Sequence, residues 1–214
     1  MRLRKIKNAG LQLAKHPELV IPNPEIHRGK WKKLFNNNNP IHLELGMGKG
    51  QFIIKMATLN PDINFIGIER FDSVILQAMK KALEVKLPNL RLIHFDGARL
   101  LDIFEEHEIE KIYLNFSDPW PKSRHAKRRL TYPAFLEIYR KVLVEGGEIE
   151  FKTDNVHLFE YSIISFNNND FIFEDFSVDL HARDEEIVTT EYEDRFLARN
   201  QPIYFVKVKL KGVK

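Results

Sequence analysis

The chain has 214 residues, 43% of them apolar, no cysteine, and 33 Lys/Arg against 30 Asp/Glu for a formal net charge of +3. That length and apolar fraction suit one domain with a sizeable core, and the missing thiols exclude a disulfide framework, a zinc–thiolate site and a cysteine nucleophile. No run of about 18 apolar residues is present to span a bilayer, and Met1-Arg2-Leu3-Arg4-Lys5-Ile6-Lys7 lacks the apolar stretch of a signal peptide, so a cytoplasmic protein with no metal centre is expected.

The charge is unevenly placed. Residues 1–33 hold nine Lys/Arg and two Glu, or +7, which leaves −4 for the rest. Pro17, Pro22, Pro24 and the run Asn36-Asn37-Asn38-Asn39-Pro40 interrupt periodicity there, so residues 1–40 read as a basic, partly ordered extension. A mobile arm over a polyanion is one reading of it. Permanent packing through Ile6, Leu11, Leu13, Leu19, Val20, Ile21 and Trp31 is the other.

From residue 41 strand and helix signals alternate. A strand over Ile41–Leu45, a helix over Gln51–Leu59, a strand over Asn64–Glu69 and a helix over Ser73–Glu84 come first. A strand over Leu90–Phe95, a short helix over Ala98–Phe104 and a strand over Lys111–Phe116 follow. This rhythm predicts a largely parallel α/β sheet covered on both faces. A helix over Pro133–Leu143, a turn at Glu145-Gly146-Gly147, a strand over Glu148–Thr153, a helix over Val156–Phe166 and a strand over Phe171–Val178 continue the chain. Ile203–Leu210 alternates polar and apolar residues as an edge strand does.

In Glu44-Leu45-Gly46-Met47-Gly48-Lys49-Gly50 the glycines follow a strand and open a helix, letting backbone approach a ligand closely. Glu69 ends the next strand, where a carboxylate can accept both hydroxyls of a ribose. Asp96, before Gly97, ends the third and can accept from an adenine amino group. A nicotinamide dinucleotide and S-adenosylmethionine both suit such a set. The dinucleotide pattern needs a third glycine where this chain has Gln51, and Glu44 beside the turn would repel a pyrophosphate but can orient an ammonium. S-adenosylmethionine is therefore favoured, although any one of these acids can equally serve as a helix cap.

Asn115-Phe116-Ser117-Asp118-Pro119-Trp120-Pro121 follows the fourth strand, where parallel sheets open their crevice, and its prolines stiffen the loop. A lone Trp120 is expected in the core more than against a base. Directly after it, Lys122, Arg124, Lys127, Arg128 and Arg129 with His125 fill six of eight positions, a density suited to phosphate binding.

These motifs, with Phe151-Lys152-Thr153-Asp154-Asn155 and Thr190-Glu191-Tyr192-Glu193, resemble the bacterial tRNA (guanine-N7)-methyltransferase family over nearly the whole chain from Ile41. The resemblance implies a Rossmann-like class I methyltransferase fold over residues 41–214, mostly parallel with an antiparallel C-terminal edge strand. It implies methylation of the variable-loop guanosine at tRNA nucleotide 46. It further implies that Glu44, Gly46, Gly48, Glu69, Asp96 and Asp118 line the S-adenosylmethionine site, with Asp118 catalytic. Lys122, Asp154, Thr190, Glu191, Tyr192 and Glu193 would contact the tRNA, and Arg124, His125, Ala126, Lys127, Arg128 and Arg129 would form the RNA-interacting stretch. No protein partner is implied, and a monomer and a homodimer are both compatible. An amino-group nucleic-acid methyltransferase and a non-catalytic RNA-binding module on the same fold are the alternatives.

Overall fold

A computed structural model describes residues 6–211. Seven strands form one sheet: β1 (Ile41–Leu45), β2 (Asn64–Glu69), β3 (Leu90–His94), β4 (Ile109–Asn115), β5 (Leu143–Thr153), β6 (Phe171–Ser177) and β7 (Tyr204–Leu210). Their order is β3-β2-β1-β4-β5-β7-β6. The first five are mutually parallel, as β-helix-β rhythm dictates, because a parallel neighbour requires a crossover element. The antiparallel C-terminal strand lies one place in from the margin: β7 pairs with both β5 and β6, and β6 closes that side. An alternating pattern identifies a strand with one wet face. It does not distinguish a margin from a position beside it.

Local boundaries differ where the backbone demands it. The turn expected at Glu145-Gly146-Gly147 is absorbed into β5 as an irregularity in its pairing with β4, with Gly146 at φ 73°. The expected helix over 98–104 is a 3-10 turn, Gly97–Arg99, running into the four-residue helix Leu100–Ile103.

Helices cover the two faces separately. On one, Ala9–Leu13 (α1), Gln51–Leu59 (α3) and Asp72–Val85 (α4) pack Leu13, Phe52, Ile53, Ile75 and Leu76 against Phe65, Leu92 and Tyr113. On the other, Trp31–Phe35 (α2), Leu100–Ile103 (α5), Pro133–Val142 (α6) and Val156–Asn168 (α7) bury Trp31, Leu136, Tyr139 and Phe166 against Ile112, Phe151 and Val208.

The described part of the basic extension is packed, so the mobile-arm reading does not hold for residues 6–40. Trp31 is wholly buried, and its Nε1–H donates to the Ile103 carbonyl at 2.8 Å. Val20 bridges Leu92 in parallel, with Ile21 N–H donating to Leu92 O (3.0 Å) and Leu92 N–H to Leu19 O (2.8 Å), which covers the open edge of β3. The apolar residues scattered between the prolines supply the packing. Met1–Lys5, part of the same basic run, lie outside the described residues.

Candidate active site

The five parallel strands end on the same side, and each delivers a carboxylate there. In sheet order these are Asp96 after β3, Glu69 on β2, Glu44 on β1, Asp118 after β4 and Asp154 after β5. The chain reverses its direction of winding between β1 and β4, the switch point at which open α/β sheets take their ligands.

At that point Glu44 is 1% exposed. Its Oε1 accepts from Asn115 Nδ2 at 2.8 Å, while Glu44 Oε2 and Asn115 Oδ1 are buried without a hydrogen-bond partner. Burial pushes the Glu44 carboxyl up to about 7, against the opposing pull of the Asn115 hydrogen bond and the Lys152 charge. Two buried acceptors with free lone pairs constitute a demand for a donor, and an ammonium meets it.

The glycine turn beside them is held by backbone: the N–H groups of Gly46 and Met47 both donate to Ile68 O, at 2.9 and 3.0 Å. Gly46 and Gly48 have φ of 81° and 56°, and a Cβ built on either would meet no protein atom within 4 Å. The backbone there is open to a ligand. Glu69 Oε2 accepts from Gly48 N–H at 3.2 Å and its Oε1 from Arg70 and Phe71 N–H at 2.7 and 3.1 Å. Burial raises its pKa and these three bonds oppose the rise. Asp96 is exposed and caps its 3-10 turn through Ala98 N–H (3.0 Å). The cap and the ligand readings are thus compatible for both residues. This donor and acceptor set fits S-adenosylmethionine: Glu44 with Asn115 for the methionine ammonium, Glu69 for the ribose and Asp96 for the adenine.

The loop after β4 is backbone-strained. Phe116 and Trp120 sit at φ 51° and 42°, left-handed values that bulky residues adopt only when their surroundings enforce them. Arg129 holds the Trp120 end, its guanidinium donating to the carbonyls of Pro119 and Trp120 at 3.1 Å each and lying 4.3 Å over the Tyr161 ring, while Phe116 N–H donates to the Lys152 carbonyl at 2.8 Å. Arg129 is therefore committed to the loop. Trp120 is half-buried, with His125 edge-on at 5.8 Å and the Arg128 guanidinium 4.8 Å above its ring. It is not the core plug expected of a lone tryptophan, because the Pro-rich loop carries it to the rim; Trp31 fills that role. Lys122, Arg124, Lys127 and Arg128 are exposed and Ala126 is half-buried.

Residues 187–197 close the other wall. Tyr192 packs between Phe116 (5.2 Å) and Phe196 (4.7 Å) with its ring tilted to both. Its phenol is raised by burial and by the charges of Asp154 and Asp118, against the opposing charge of Arg195. Asp154 is half-buried, and desolvation raises its pKa too. Glu191 pairs with Lys81 of α4, and Gln51 Nε2 donates to Asp194 at 2.8 Å, tying this segment to the helices behind the glycine turn.

Glu193 departs from its expected role. It is 0% exposed and paired with Lys152 Nζ and His181 Nε2 at 2.7 Å each, with no surface open to solvent. With Thr190 it forms a reciprocal cap, Glu193 N–H to Thr190 Oγ1 (3.0 Å) and Thr190 N–H to Glu193 Oε2 (3.2 Å), before the helix α8 (Glu193–Leu197). Thr-x-x-Glu is the signature of such a box, so this role is readable in the sequence. The parts played by Asn115, Lys152 and His181 are not, since the partners of each lie on other elements and no local pattern announces them.

A family model described as a putative methyltransferase matches residues 38–206. A protein of Geobacillus sp. named tRNA (guanine-N(7)-)-methyltransferase is 55% identical over 98% of this chain and 96% of its own length. One of the same name from Listeria innocua is 51% identical over 98% of each. Among solved structures, an antibiotic-related methyltransferase superposes with TM-score 0.63 at 17% identity, covering 85% of this chain and 92% of its own. A 16S rRNA methyltransferase gives 0.64 at 14%, covering 86% and 93%. The chain belongs to the family of bacterial tRNA (guanine-N7)-methyltransferases.

Proposed function

We propose that this enzyme transfers the methyl group of S-adenosylmethionine to N7 of guanosine 46 in the variable loop of tRNA. The observation that carries the reading is the crevice where Glu44 and Asn115 leave two buried acceptors unpaired, within a chain more than half identical to a protein named for this activity. When bound, the cofactor supplies an electrophilic sulfonium methyl.

Guanine N7 presents an in-plane lone pair and no proton, so the protein needs no general base, and positioning dominates. The purine gains positive charge as N7 is alkylated. Asp118 and Asp154, which follow the neighbouring parallel strands β4 and β5, offset that charge and can accept from the guanine N1–H and 2-amino donors, which adenine does not present in this arrangement. The exposed Lys122, Arg124, Lys127 and Arg128 grip flanking phosphates, giving recognition by shape. A stacked base cannot reach strand ends, so the target nucleotide leaves its stack. A tRNA substrate places the site of action in the cytoplasm; among the described residues no helix is long and apolar enough to cross a membrane.

The test is incubation of the purified protein with unmodified tRNA and methyl-labelled cofactor, followed by digestion to nucleosides. N7-methylguanosine is expected. A methylated exocyclic amine would replace this reading with the amino-group alternative, and cofactor-independent RNA binding without product would replace it with the non-catalytic one.

A further inference from the structure

Lys152, at the end of β5, is a charged group with no task in the reaction as described. It is 4% exposed, donates to Glu193 at 2.7 Å and to the Val188 carbonyl at 3.0 Å, and lies 5.1 Å from the Phe52 ring. Glu193 is wholly buried, and its other oxygen meets His181 at 2.7 Å. Desolvating both ions offsets much of their attraction, so such a pair contributes little net stability over an apolar pair of similar volume. What it does provide is a fixed register between the two elements it joins. One is β5, which ends just before Asp154. The other is the 187–197 segment, which carries Tyr192. Other anchors of that segment are the pairs Lys81–Glu191 and Gln51–Asp194, a Gln51 bond to the Thr189 carbonyl, Val188 against the core under α3 and α4, and a small cluster of Leu180, Ile187 and Phe196 on Ile203, Phe205 and Phe116. Lys152 is also the register partner of Asn115, which bonds Glu44, so the lysine stands between the Glu44 wall and the 187–197 wall.

We propose that Lys152 is a positioning residue for methyl transfer: through its ion pair with Glu193 it seats residues 188–193 on the crevice rim, with Tyr192 against Phe116 of the loop that carries Asp118. Glu193 then acts through Lys152 and not by touching RNA. This rests on the tRNA methyltransferase reading above.

Two variants test it. Lys152→Met removes the charge and leaves Glu193 buried without its lysine. Lys152→Met/Glu193→Gln removes both charges while keeping one acceptor oxygen for the Thr190 N–H, with the amide NH2 facing His181 Nε2. At pH 8 the double variant is expected to keep a melting temperature near that of the wild type and to bind S-adenosylmethionine within about threefold. Its kcat on tRNA is expected to fall roughly 10- to 100-fold, the effect of about 1 Å of misplacement. Trypsin is expected to cut faster at Arg195 and Arg199, mapped by mass spectrometry. A folded double variant with wild-type kcat on tRNA overturns the proposal, and so does reduced activity with unchanged cleavage, which would place the effect at Glu44. Should the wild type transfer no methyl to tRNA, the function reading fails by itself; the cleavage arm then decides whether Lys152 holds the segment.

Discussion

At the scale of single residues, chemistry is concentrated in carboxylates whose surroundings differ. Glu44 is buried and raised to about 7, so in the free protein it passes from neutral to charged across the neutral range. An ammonium binds the charged form. S-adenosylmethionine affinity is therefore expected to hold above pH 7 and to weaken as pH falls below it, approaching tenfold per unit. Glu44→Gln is expected to bind weakly at every pH with that slope removed, which calorimetry between pH 5.5 and 8.5 measures; an unchanged slope would place the titrating group elsewhere. Asp118, on the loop after β4, contributes to the site more than to the core. Asp118→Ala is expected to lower kcat by about 100-fold or more while leaving the melting temperature in place, and full activity would remove it from the site. The strand-end acids and glycines are legible in the sequence because their roles follow from position on one strand and the turn after it. The cap role of Glu193 is legible from Thr-x-x-Glu, but its buried ion pairs are not, because its partners Lys152 and His181 are distant or unremarkable in sequence and an acidic run carries no mark of burial.

At the scale of elements, the cationic stretch is two devices. Arg124, Lys127 and Arg128 are exposed, whereas Arg129 bonds the backbone of the loop that carries Asp118. Neutralising the first three is expected to raise KM for tRNA and to flatten its salt dependence, by up to about 0.9 in log–log slope for each phosphate no longer neutralised, with cofactor affinity unchanged. Arg129→Ala is expected to lower kcat, because Trp120 relaxes from left-handed backbone once the guanidinium that bonds the Pro119 and Trp120 carbonyls is gone. If the triple variant keeps the wild-type salt slope, the RNA docks elsewhere. Composition locates this stretch, but density of charge does not separate a cation that faces solvent from one that pins a loop.

At the scale of the whole molecule, residues 6–40 are part of the domain. Trp31 fills a space against α5 and Phe104, and the bridge at Val20 caps the sheet at β3. Trp31→Ala is expected to cost about 3–5 kcal/mol, and deletion of residues 1–30 is expected to give an unstable, aggregating protein, as denaturation midpoints and light scattering will show. A soluble truncation with wild-type cofactor binding would restore the mobile-arm reading. The parallel half of the sheet is legible from its rhythm. The packing of the first forty residues is not, since it rests on contacts such as Trp31 to Ile103 that no local period reports.

Under the proposed function, the crevice between β1 and β4 directs a methyl group to one ring nitrogen of one tRNA nucleotide. The most direct measurement of that specificity is methyl transfer to two transcripts of the same tRNA, one with guanosine at nucleotide 46 and one with adenosine, each mapped by nucleoside and fragment analysis. N7-methylguanosine at nucleotide 46 is expected in the first and no methyl incorporation in the second. Equal labelling of both transcripts, or a methyl group on any exocyclic amine, would contradict it.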